Sequence, residues 1–113
     1  MVKIIDLVEN LSLKTIVKGD MNREVAGCYI SDLLSDVMAN SSEGQIWITL
    51  QTHPNINAVA IIKNLSGIII TNNRMPEADT IKKAETEKVT ILTTPLTNFE
   101  IAGMLYKILR VES

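Results

Sequence analysis

The chain is poor in the residues that most often announce chemistry: among 113 residues there are one cysteine, one histidine, three prolines, one tryptophan, two tyrosines and one phenylalanine. A single cysteine excludes an internal disulfide and any multi-cysteine metal site. Cys28 lies inside an apolar, strand-like run, so a buried thiol is expected there rather than a reactive one. With His53 the only histidine, a zinc centre is not expected. No apolar stretch approaches the roughly 20 residues of a membrane helix. The opening "MVKIIDLVEN" carries Asp6 and Glu9 and lacks a signal peptide's apolar core, so a soluble, cytoplasmic protein is expected. Formal charge is −2, and of the eleven basic residues only Lys82 and Lys83 adjoin. That scatter argues against a nucleic-acid surface, which needs clustered positive charge. Missing too are a GxxxxGK[ST] phosphate loop, a GxGxxG fingerprint and a GxSxG elbow. Asn-x-Ser sequons at Asn10, Asn40 and Asn64 are chance matches without a secretory signal.

What is present is a rhythm. Residues 1–113 read as a single domain, and a chain of this size buries roughly two-thirds of its unfolded surface. Residues 3–11 place Ile4, Leu7, Val8 and Leu11 on one helical stripe. "LKTIV" (13–17) and "EVAGCYI" (24–30) read as short strands, and Gly27 in the second marks either a bulge or a close contact. Asp20, in the "VKGD" turn, reads as a turn residue. Ser31 or Asp32 is placed to cap a helix whose Leu33, Leu34, Val37 and Met38 face the core. From Gln45 onward strand and helix alternate, with strand starts at Gln45, Gly67 and Val89. Such spacing fits parallel strands joined by crossover helices. "GIIIT" and "TILTT" are apolar without alternation, as parallel strands covered on both faces are. The expected fold is a three-layer α/β domain with about five mostly parallel strands, the first two at or near an edge.

The helices differ in kind. Residues 77–88 have a narrow apolar stripe, Ala78, Ile81 and Ala84, among many charges, which predicts a solvated surface helix. The helix from Asn55 is apolar around its whole circumference, through Ile56, Ala58, Val59, Ala60, Ile61 and Ile62, and so must be covered on more than one side. In so small a domain a homodimer contact would supply the second cover. "TNFE" (97–100) is a capping box opening the last helix.

Open parallel sheets bind ligands beyond the carboxyl ends of their strands, near helix N-termini. Three connections answer to that place: 50–55, 71–76 and 93–97, all rich in hydroxyls, amides and prolines. Free amide hydrogens and the helix dipole there favour an anion, and Arg74 offers a planar fork for phosphate or carboxylate. Thr52, His53, Asn55, Asn72, Asn73, Arg74 and Thr94 are the candidate ligand-binding residues. The plainer reading stands beside this one: Thr52 or His53 caps a helix that begins at Pro54, Pro76 does the same for the next, and Asn72-Asn73 forms a turn. No nucleophile or acidic partner accompanies His53, so no catalytic residue is assigned, and neither metal nor cofactor is expected.

The order of these pieces, "VKGD" and a strand, then "SDLLSDVMA", then "WITLQTHPNINAVAIIKNLSGIIITNNRMPEADTIKKAETEKVTILTTPLTNFEIAGML", resembles the DRTGG domain from about Val2 to Leu109. The resemblance implies a fold similar to the N-terminal domain of HPr kinase/phosphorylase. It also implies a regulatory role, since such domains stand beside CBS domains in some inorganic pyrophosphatases and occur in some phosphate acetyltransferases. Stand-alone versions of this length look common in anaerobic bacteria, some in neighbourhoods of iron-only hydrogenases. This chain departs from the name-giving motif. Thr52-His53 stand where the family has Asp-Arg, Leu50-Gln51 where glycines precede it, and Asn72-Asn73 where paired glycines follow the next strand. Asn replaces Gly acceptably in a left-handed conformation; Leu50 does not.

These readings converge on a non-catalytic regulatory or ligand-sensing module, homodimeric, with an anionic small molecule such as a nucleotide as ligand and a metabolic or redox enzyme as partner. Neither nucleic acid nor membrane is expected as a partner. The alternatives are a ligand-free interaction module and, further off, a small phosphotransfer or hydrolytic enzyme working through His53.

Overall fold

The computed structural model describes residues 1–112. In chain order the elements are α1 (Ile4–Leu11), β1 (Lys14–Val17), β2 (Gly27–Ile30), α2 (Leu34–Asn40), β3 (Gln45–Thr49), α3 (Asn55–Ile62), β4 (Gly67–Ile70), α4 (Ala78–Glu87), β5 (Ile91–Thr93) and α5 (Asn98–Glu112). The five strands form one sheet in the order β1-β5-β4-β3-β2. β2, β3, β4 and β5 are parallel neighbours, and β1 pairs antiparallel with β5. The first two strands are therefore the two opposite edges.

The strand march decides the layers. β2 to β5 step across the sheet in one direction, and right-handed crossovers then put every connecting helix on one face. α2, α3 and α4 pack there, against Trp47, Ile68, Ile70 and Ile91. α1 and α5 cover the other face, over Ile46, Ile48, Ile69 and Leu92. Alternate residues of each central strand thus reach different cores, the period of two that a strand imposes. That is why these strands are apolar throughout: all four residues of β4 are buried.

Several side chains depart from their expected places. Leu33 is 64% exposed rather than core-facing. Asp32 does not cap α2; its Oδ1 accepts from Thr49 Oγ1 at 2.8 Å and from the Leu50 amide at 2.6 Å, which ties the β2–α2 turn to the end of β3. α2 is instead held over β2 by Asp36, which accepts from Tyr29 Oη at 2.9 Å and from Asn40 Nδ2 at 2.8 Å. The bonds from Asn40, Ser31 and Tyr29 hold the Asp36 carboxyl below its ordinary range, and the bond to Asp36 raises the Tyr29 phenol. In α4 the buried residues are Thr80 and Ala84, while Ala78 is exposed. Thr80 turns inward because its hydroxyl donates to Thr52 O (2.7 Å) and its carbonyl accepts from Asn57 Nδ2 (3.0 Å). Gly27 makes neither bulge nor close contact; a Cβ there would meet only Gln45, at 3.7 Å. The tight glycine is Gly19, where a Cβ would lie 2.6 Å from both Lys88 O and Thr90 Oγ1.

The helix from Asn55 owes most of its cover to its own domain. α3 is the middle member of a layer of three, flanked by α2 and α4 and seated on the sheet. Ile56, Val59 and Ala60 are buried by these neighbours, while Ile61 and Ile62 stay 45% and 66% exposed.

Candidate functional site

Parallel strands end together, so the connections after β3, β4 and β5 leave the sheet along one rim. They are joined there by backbone. Glu77 N donates to Thr52 O at 3.1 Å, which links the first connection to the second. Asn72 N donates to Leu96 O at 2.9 Å and Asn73 N to Thr94 O at 3.0 Å, which link the second to the third. Thr71 Oγ1 donates to Asn98 Oδ1, tying the end of β4 to the start of α5. After β4 the chain turns to the α2–α4 face, and after β5 to the α1/α5 face.

The candidate residues fall into two groups. His53, Asn55, Asn72, Asn73 and Arg74 are exposed along this rim, with Thr52 half-buried among them. Thr94 is buried, 2% exposed, and lies beneath the surface. Its hydroxyl accepts from Leu96 N at 3.2 Å and its carbonyl from Asn73 N, so it positions the second connection. The His53 ring serves the start of α3: Nδ1 accepts from Asn55 N at 3.1 Å, and Ile56 N donates to His53 O at 3.1 Å. Pro54 follows in helical conformation, φ −54°, where a missing amide hydrogen costs nothing.

Asn72 and Asn73 have φ of 59° and 58°, two successive left-handed residues. Asn accepts that conformation more readily than other side-chain-bearing residues, since its short amide bonds locally. Asparagines here therefore preserve a backbone that glycine pairs also favour. Leu50 and Gln51 are not among the positive-φ residues, so their side chains meet no such penalty. The turn uses up its own donors, because Arg74 N bonds Thr71 O at 3.2 Å. What the second connection offers to solvent is side chains: two amides and the Arg74 guanidinium.

Of the residues that hold this rim together, Asp32 was expected as a helix cap and Thr71 as part of the second connection, while Asn57, Thr80 and Asn98 were not signalled by composition or spacing. Only Asn57, the polar residue deep in an apolar helix, carried a trace. Two cavities lie away from this rim. A polar cleft of about 200 Å³ sits at the opposite end of the sheet, among Asp20, Arg23, Asn64, Ser66 and Lys88. An apolar groove of about 450 Å³ runs between β2 and α5. Among the described residues no cluster of His, Cys, Asp and Glu is suited to a metal, and no helix is long and apolar enough to cross a membrane.

The DRTGG domain model matches residues 6–108. Among solved structures, the chain is similar to the crystal structure of the CBS and DRTGG domains of the regulatory region of Clostridium perfringens pyrophosphatase, complexed with the activator diadenosine tetraphosphate. The TM-score is 0.68 at 22% identity, over 88% of this chain and 43% of that one. The chain thus spans less than half of that structure, and the likeness is one of fold. No curated protein matches.

Proposed function

Since the chain belongs to the DRTGG domain family, we propose that it is a non-catalytic regulatory module whose carboxyl rim senses an anionic small molecule of nucleotide type, in a homodimer that acts on a metabolic or redox enzyme. The observation that carries this reading is the backbone-stitched rim. Three connections are held in one place while His53, Asn55, Asn72, Asn73 and Arg74 stay open to solvent, with Thr52 between them. α3, α4 and α5 all begin there, and helix starts favour negative charge. Arg74 adds a fork for phosphate. The activator held by the pyrophosphatase region, diadenosine tetraphosphate, is an anion of this class. Engagement of the His53 ring by Asn55 N supports a positioning role at the start of α3.

A ligand that binds the native state raises its melting temperature. Millimolar ATP or diadenosine tetraphosphate is expected to stabilise the chain by several degrees, measured by calorimetry. Arg74→Ala combined with Asn73→Gly should abolish that gain and leave the ligand-free melting curve close to wild type. Equal gains in variant and wild type would remove the rim from the reading. A second reading has its own support: Thr52 O, the Asn72 and Asn73 amides and the Thr94 hydroxyl are already bonded within the rim. That favours an interaction module without ligand, for which no nucleotide would shift the melting temperature.

A further inference from the structure

The amino end of the sheet holds a second polar place, built from charges of both signs. The β1–β2 connection brings Asp20 and Arg23, the α3–β4 turn brings Asn64 and Ser66, and the end of α4 brings Glu87 and Lys88, all lining the cleft of about 200 Å³. Contacts between distant residues fix its walls. Gly19 N donates to Thr90 Oγ1 at 3.2 Å, which ties the β1–β2 connection to the start of β5. Arg23 donates to Asn64 Oδ1 at 3.2 Å and to Asn64 O at 2.8 Å, which ties the same connection to the end of α3.

Two polar side chains in this cleft have bonding capacity that the fold leaves unused. Arg23 is half-buried, yet no carboxylate among the described residues pairs with it, and Asn64 occupies only part of its fork of donors. Ser66 is 6% exposed, and its Oγ has no hydrogen-bond partner. Buried hydroxyls are ordinarily bonded. Rotation about χ1, among three staggered wells, lets a serine hydroxyl answer a guest beside it.

The charges choose the guest. Asp20, Glu87 and Lys88 are exposed and enter no ion pair among the described residues. α3 and α4 both end here, and helix C-termini favour positive charge. A bare anion would meet two carboxylates and two helix C-termini, while a bare cation would meet Arg23 and Lys88. Size excludes a nucleotide, since sites for drug-sized ligands measure about 300–1,000 Å³. A small molecule that carries both signs close together satisfies every wall.

We propose that this cleft binds a small free α-amino acid. The guest's carboxylate takes the unused donors of Arg23, with Lys88 beside it. Its ammonium faces Asp20, Glu87 and the helix ends, and Ser66 gains the partner it lacks. A side chain of a few atoms packs against Ile61 and Leu65 of the lining. The site lies at the other end of the sheet from the rim and does not depend on the ligand proposed there.

Titration of the isotope-labelled full chain with L-serine, followed by amide NMR, is expected to give saturable shifts at Asn64, Ser66, Lys88 and Thr90 in the millimolar range. Acetate, methylammonium and the oversized L-tryptophan should leave those amides unmoved at the same concentrations. Arg23→Gln should weaken L-serine binding about tenfold, through loss of charge-assisted bonds. Ser66→Ala should also weaken it while keeping the ligand-free melting temperature at or above wild type, because it removes an unpaired hydroxyl; a merely structural serine would lower that temperature. Arg74→Ala, on the rim, should bind L-serine as wild type does. The proposal is overturned by no saturable shift with L-serine, by equal shifts with acetate or methylammonium alone, or by unchanged affinity in either folded cleft variant. Loss of binding in Arg74→Ala in their place overturns it too.

Discussion

Cys28 illustrates how environment rules a side chain. It packs among the α1/α5-side core residues, and burial pushes its thiol up to about 12 from an ordinary 9.0. A thiol whose pKa is raised by folding holds its proton longer in the native state. Its contribution to stability is therefore complete below about pH 9 and is lost as pH rises toward 12. Cys28→Ala is expected to flatten the alkaline fall in urea-denaturation free energy over that window. At pH 8 the half-buried native thiol should react with a disulfide reagent more slowly than in the unfolded chain, because burial keeps it protonated. Equal rates would show that the thiol is open. Asn72 and Asn73 make the converse point. Their type was readable as left-handed turn chemistry, and their φ values of 59° and 58° agree. That both backbone amides would be spent on the β5–α5 connection was not readable, because those bonds join residues 21 or more positions apart only once the sheet is assembled.

Among the elements, α5 was the most legible and α4 the least. "TNFE" predicts a capping box, and Glu100 N donates to Thr97 Oγ1 at 3.2 Å while Thr97 N donates to Glu100 Oε1 at 3.1 Å. Thr97→Ala is expected to cost about 1 kcal/mol, read from the midpoint of a urea transition with unchanged slope. A loss much smaller than this would mean that the Thr71–Asn98 bond alone fixes the helix start. α4 buries Thr80 where the stripe suggested Ala78, since the hydroxyl and carbonyl of Thr80 bond Thr52 and Asn57 across two other elements. Periodicity sees apolar side chains and misses a polar one that is satisfied inside. The all-round apolarity of α3 was rightly read as cover on several sides. The source of the cover is chiefly its place between α2 and α4, which depends on the strand order.

At the scale of the molecule, one fact sets the rest: four parallel strands stepping in one direction, closed at one edge by the antiparallel, charged β1. The march places three connecting helices on one face, sends α5 to the other, and gathers three polar connections on one rim. β2 ends the sheet on the other side, with Val2 and Lys3 paired to Val25 and Glu24 just before it. If the chain is the homodimer proposed above, melting temperature should rise with protein concentration, since association stabilises the folded state by mass action. Scans over a hundredfold range of concentration are expected to show that rise. A concentration-independent melting temperature would count against the homodimer.

The sequence by itself determined the kind of fold, because strand and helix periods, apolar runs and turn residues are local properties that a single chain displays in order. It also placed the polar connections at helix starts, since the alternation of elements dictates where strands end. The tertiary structure alone decided which of those polar groups remain open to solvent and which strands lie at the two edges. Both depend on hydrogen bonds and burial between residues far apart in the chain, and such pairings have no local signature.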